Sequence, residues 1–162
     1  MHSGQAAATT PQTLLGFDLG LSRTGLAVGN TLTGSARPLT VFHANNKAKR
    51  QAAAMDAISE WKPNALIVGI PCHPDGKPHD MTRAAMNFAR ALHTASGLPV
   101  WLVDERYSSA IAGVETDADA AAVILQQYFD EGGVLLEMPA KPEPKAEPIS
   151  ETTSETKIAP NA

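Results

Sequence analysis

The chain has a single cysteine, no apolar run long enough to span a bilayer and no excess of positive charge. Cys72 alone excludes an internal disulfide and fits a reducing compartment. Its apolar runs are of strand length, short of the ~20 residues that a transmembrane helix needs, so no membrane association is expected. A formal net charge of -4 over 162 residues removes any overall attraction for nucleic acid. Several of the acids crowd into the last stretch, which leaves the remainder closer to neutral and able to carry a local basic face. Met1 to Gln12 lacks the charged-then-apolar order of a secretory signal. No internal repeat is present. The expectation is a soluble cytoplasmic protein.

What is present is organised around Leu14 to Gly29, LLGFDLGLSRTGLAVG. An apolar run ends in one carboxylate, Asp18, and a small-residue turn with Gly20 and Gly25 leads into a second apolar run. The pattern predicts strands over Leu14–Asp18 and Thr24–Asn30, paired as an antiparallel hairpin. A third strand is expected at Ala36–His43, where Pro38 suggests an edge or an irregular start. Helical spacing runs from Lys47 through Ala54, Ile58 and Trp61 until Pro63 stops it. The continuous apolar run Ala65–Ile70 reads as a strand covered on both faces. Pro71–Asp80 is a loop, Met81–Ser96 a helix stopped by Gly97, and Val100–Val103 a strand running into Asp104, Glu105 and Arg106. Asp117–Asp130 forms the last helix, closed by Gly132-Gly133. Beyond Glu137, Pro, Glu, Lys, Thr and Ser dominate, too few apolar residues to offset chain entropy. The domain is therefore bounded at 13–134, between a leader of 1–12 and a disordered tail of 135–162. Five strands and three helices in this order suggest an α/β fold, with an antiparallel hairpin edge, parallel strands and helices on both faces. Trp61 and Trp101 are expected to pack in the core.

Three acids stand where such a sheet places its chemistry. Asp18 closes the first strand and Glu105 follows the last, so parallel strands bring both to the carboxyl edge. At 100° per residue, Asp117 is in phase with Ala121, Ile124 and Tyr128, the face that packs on the sheet, whereas Asp119 lies opposite. Asp117 also stands where a helix N-cap would, and that structural role competes evenly with a functional one. Clustered carboxylates resist full ionisation. A divalent cation removes that difficulty, and oxygen-only ligands suit Mg²⁺ or Mn²⁺ better than Zn²⁺. Cys72 beside His73 is poorly placed as a thiol nucleophile, and Cys72, His73 and His79 lack a fourth zinc ligand.

FDLGLSRTGLAVG, IVGIPCHPDG, VDERYSSA and DADAAAVILQQYF resemble, in order, the motifs of the YqgF family, the Holliday-junction-resolvase-like proteins also described as pre-16S ribosomal RNA nucleases. The resemblance runs from about Leu14 to Gly133. It implies a ribonuclease-H-like fold, divalent-metal phosphodiester hydrolysis and trimming of the 5′ end of the small-subunit rRNA precursor. Carried over by position, the family's acids are Asp18, Glu105 and Asp117, as metal ligands and catalytic residues, and its arginines are Arg23 and Arg106, as phosphate contacts. In ribonuclease-H-like sheets the strand bearing Glu105 is not the usual neighbour of the first, so Glu105 has to reach across. Between Arg106 and Asp117 the chain has only YSSAIAGVET, shorter than the family's usual segment.

Other readings stay open. The implied substrate is pre-16S rRNA, within the small-subunit precursor, or another structured nucleic acid such as a Holliday junction; the chain acts as a monomer or a homodimer. A non-catalytic RNA-binding assembly factor would keep the fold and lose the cleavage. DLGLSRTG also resembles the phosphate loop of actin-like ATPases, but those proteins need two such domains and this chain has length for one.

Overall fold

A computed structural model describes residues 10–71, 80–105 and 116–137. β1 (Thr13–Leu19), β2 (Arg23–Asn30) and β3 (Ser35–His43) form an antiparallel meander. Then α1 (Lys47–Trp61), β4 (Ala65–Ile70), α2 (Asp80–Ser96), β5 (Val100–Asp104), α3 (Asp117–Glu131) and β6 (Val134–Leu135) follow. The strands make one mixed sheet in the order β3-β2-β1-β4-β5-β6, with β1, β4 and β5 parallel.

Among the described residues the sheet has six strands, not the five expected. The extra one, β6, pairs antiparallel with β5 through Trp101↔Leu135 and Leu102↔Val134. Two residues are too few to show alternation, and only the neighbouring ladder makes them a strand. β6 straddles the 134/135 boundary that composition suggested, and Leu136 beyond it is buried, with its N–H on the Val100 carbonyl.

Both faces of the sheet are covered, which is why β1 and β4 are apolar at nearly every position. On one face Leu15, Phe17, Leu26, Leu66 and Val68 pack against α1 and α2, contributed by Ala54, Ile58, Ala85, Phe88 and Leu92. Phe17 and Phe88 meet edge to face with centroids 5.5 Å apart, a pairing that adds ~1 kcal/mol to the area both bury. On the other face Leu14, Ala27, Ala65, Ile67 and Val103 receive Ala121, Ile124 and Leu125 of α3, the helix that covers it among the described residues. Trp61 and Trp101 pack half-buried against the two cores.

Proline and capping residues set the element ends. β3 is the edge strand, and its ladder with β2 slips between Leu26↔Thr40 and Ala27↔Pro38, so the missing proline donor falls beside an irregularity. Asn46 caps α1 by accepting from Lys49 N, and the helix ends at Lys62 in the left-handed region (φ 48°) before Pro63. Among the described residues no helix is long and apolar enough to cross a membrane.

Candidate active site

Strand polarity decides where the acids go. β1, β4 and β5 are parallel, and the three helices of the described residues begin at the edge where those strands end. Asp18 lies one residue from the end of β1. Its antiparallel partner is Gly25 on β2, and the parallel register Phe17↔Val68 carries on to set it abreast of Gly69 on β4.

Both glycines are open space that other groups occupy. A Cβ at Gly25 would overlap the carbonyl of Asp117, so α3 starts directly on the β2 backbone opposite Asp18. A Cβ at Gly69 would lie 3.3 Å from Glu105 Oε1 and 2.5 Å from Ile124 Cδ1. β4 therefore separates β5 from β1 but presents no side chain to block the Glu105 carboxylate. Glu105 itself is anchored by its N–H on the Ile70 carbonyl at 3.0 Å. The reach across β4 that the strand order demands is made over Gly69.

Asp18 and Glu105 hydrogen-bond side chain to side chain, and the Asp18 carboxyl is pushed up from 3.8 to about 9. Burial is the main cause, followed by the hydrogen bond to Glu105, the charge of Glu105 and the charge of Asp117. At neutral pH the Asp18 carboxyl therefore keeps its proton. Asp117 is within electrostatic range of Asp18, but its carboxylate turns toward β2, where Oδ2 meets Arg23 Nε at 3.0 Å. Arg23 is 62% exposed, so this pair adds at most ~1 kcal/mol and is readily exchanged for another partner. Among the described residues no three His, Cys, Asp or Glu side chains already stand as a metal cage.

The N-cap of α3 is Thr116. Its hydroxyl accepts from Asp119 N at 3.1 Å, and the Asp119 carboxylate accepts from Thr116 N at 3.0 Å, a reciprocal capping box. Asp117 is thus left free of the cap, and Asp119 is committed to it. The threonine three residues before an acid was the signal for this in the sequence. Thr116→Ala is expected to lower stability by about 1 kcal/mol, read as a denaturant midpoint at unchanged slope.

Of the residues singled out from sequence, Asp18, Glu105, Asp117 and Arg23 converge at this edge. Arg106, Cys72, His73 and His79 lie outside the described residues. Gly25 and Gly69, which make the convergence possible, were not marked as functional. Their part depends on register between strands distant in sequence.

Known proteins fit this picture. A family model described as "RuvX: Holliday junction resolvase" matches residues 12–131. A protein of Paraburkholderia xenovorans named "Putative pre-16S rRNA nuclease" is 49% identical over 134 residues, 76% of this chain and 92% of its own. Proteins of the same name from Paraburkholderia phymatum and Burkholderia lata are each 50% identical, over 79% and 77% of this chain and 90% and 93% of theirs. Among solved structures, Thermus thermophilus RuvC in complex with a Holliday junction substrate has the same fold, with a TM-score of 0.53 at 18% identity, covering 77% of this chain and 99% of that one. A family match over 120 consecutive residues, together with half-identical relatives matched over nine-tenths of their length, is decisive: the chain belongs to the RuvX family, also called YqgF, and has a RuvC-like ribonuclease-H fold.

Proposed function

We propose that the chain is a divalent-metal-dependent nuclease that hydrolyses phosphodiester bonds in structured RNA, and that it matures the 5′ end of pre-16S rRNA in the cytoplasm. The observation that carries the reading is the half-buried Asp18 carboxyl, hydrogen-bonded to Glu105 over Gly69 and holding its proton at neutral pH, where a carboxyl is ordinarily ionised. The names of the half-identical relatives support the substrate.

The donor set fits a hard cation. Asp18 and Glu105 present only carboxylate oxygens, and the proton between them marks a place where positive charge is favoured. Asp117 would complete the ligand set by leaving Arg23. Bound Mg²⁺ or Mn²⁺ would supply a water of lowered pKa and neutralise charge on the leaving oxygen. Asp18, fixed at the end of β1, would orient that centre against the sheet. Glu105, held over Gly69, would bound it on the β5 side. Arg23, released from Asp117, would grip a non-bridging phosphate oxygen through its planar fork.

Incubation with a 5′ fragment of precursor 16S rRNA and, separately, with a four-way DNA junction tests the reading, each with Mn²⁺ and with excess chelator. RNA cleavage that disappears in chelator is expected. Preferential cleavage of the junction would move the substrate to branched DNA, which the family description favours. Undiminished cleavage in chelator, or none on either substrate, would remove the metal-nuclease reading.

A further inference from the structure

β1 and β2 are joined by Gly20, Leu21 and Ser22, a turn at the same sheet edge as Asp18 and Arg23. The turn is tied down at two points. Ala44 N donates to the Ser22 carbonyl and Arg50 Nη2 donates to the Leu21 carbonyl, both at 3.0 Å. The Leu21 side chain is nevertheless 79% exposed. A single exposed leucine is ordinary, but this one is held out on a fixed backbone three residues from Asp18.

The chain from this turn into α1 is basic, and of the acids at the same edge Asp117 is paired with Arg23. From Leu19 to Met55 the chain has no Asp or Glu, in a protein of net charge -4. Of the cations in that stretch, Arg23 is paired across the sheet with His43, and α1 opens shortly afterward at the same edge with Lys47, Lys49 and Arg50. Lys47 and Lys49 are exposed, whereas Arg50 is partly buried and engaged with the turn. An apolar side chain flanked by cations matches a nucleotide, whose base has an apolar face and whose phosphates carry the charge. An acidic protein surface would satisfy the lysines but set its charges against Leu21.

Building on the nuclease reading, we propose that a single strand leaving the acidic centre crosses the β1–β2 turn. Leu21 rests on the face of an unpaired base, and Lys47 and Lys49 receive the phosphates that follow. Leu21 is a positioning residue for the strand, and Arg50 holds the turn that presents it.

Binding is measured on the full chain carrying Asp18→Asn, so that no cleavage interferes. The probe is a labelled RNA hairpin with a single-stranded 5′ extension, followed by anisotropy across a KCl series. Adding Leu21→Ser is expected to weaken binding about tenfold without changing the salt slope, and Leu21→Met to restore it. Lys47→Gln with Lys49→Gln should flatten the slope by roughly 1.4, at about 0.7 for each phosphate contact on a single strand. A blunt duplex, whose base faces are stacked inside, should not sense Leu21→Ser. Parent-like binding by Leu21→Ser, an equal loss on the blunt duplex, or an unchanged slope in the lysine variant overturns the track. So does a Leu21→Ser variant whose only change is in self-association. The chelator assay of the parent chain is independent of these outcomes, so failure of either reading is seen separately.

Discussion

Asp18→Asn is expected to abolish cleavage and, in metal-free buffer near neutrality, to make the protein more stable. The folded state holds the Asp18 carboxyl at about 9 against an ordinary 3.8. Between those values the folded chain keeps a proton that the unfolded chain has released. Stability therefore falls as pH rises through that window, and below about pH 4 the group contributes nothing. An upper bound for the resulting penalty at pH 7 is ~4 kcal/mol, and relaxation with water entry brings the expected gain from asparagine to about 2 kcal/mol. Urea melts in chelator should show a difference between variant and parent that widens from pH 5 to pH 8. Mn²⁺ should stabilise the parent, by mass action on the folded state, and leave the variant unmoved. Cleavage should fall on the order of 10³-fold or more, the size seen when a principal electrostatic element of a transition state is lost. A variant less stable than the parent at pH 8 would mean that the two acids are not compressed together. Retained cleavage would mean that Asp18 is not at the reacting centre.

The frame around Asp18 was legible in the sequence because it rests on local patterns. Apolar runs of strand length, Pro63 and Gly97 as stops, and a short turn between β1 and β2 each act within a few residues. The phase of α3 likewise set Asp117 and Asp119 on different sides, and the capping box now explains what Asp119 does there. What local pattern could not convey was anything decided between strands. β6 exists because β5 offers an open edge to two residues. Asp117 turns to Arg23 because α3 begins over β2, a proximity that depends on a sequence separation of 94 residues. Gly69 reads as one more small residue in ALIVGI, and only the order β1-β4-β5 makes it the gap through which Glu105 reaches Asp18.

Gly25→Ala tests that dependence most directly, and it should cost both stability and activity. The added methyl would overlap the carbonyl oxygen and carbon of Asp117 and crowd Ala118 N, all of them backbone. Backbone in the first turn of a capped helix cannot rotate aside as a side-chain tip can, so α3 has to lift or shift along β2. Its buried contacts, Ala121, Ile124 and Leu125 against Leu14, Ile67 and Val103, form the core of that face and lose packing as it moves. Overpacking of this kind is expected to cost about 3 kcal/mol. The same shift carries Asp117 away from Asp18, so cleavage should fall further than the unfolded fraction explains. Asp117→Ala separates the two effects: it keeps the helix start and removes only the carboxylate, and should lose cleavage with stability within about 1 kcal/mol of the parent. Because Asp117 contributes least to the elevation of Asp18, the widening stability difference of Asp18→Asn should persist in the Asp117→Ala background. If Gly25→Ala melts and cleaves like the parent, α3 is not seated on β2, and some other contact brings the third acid to the site.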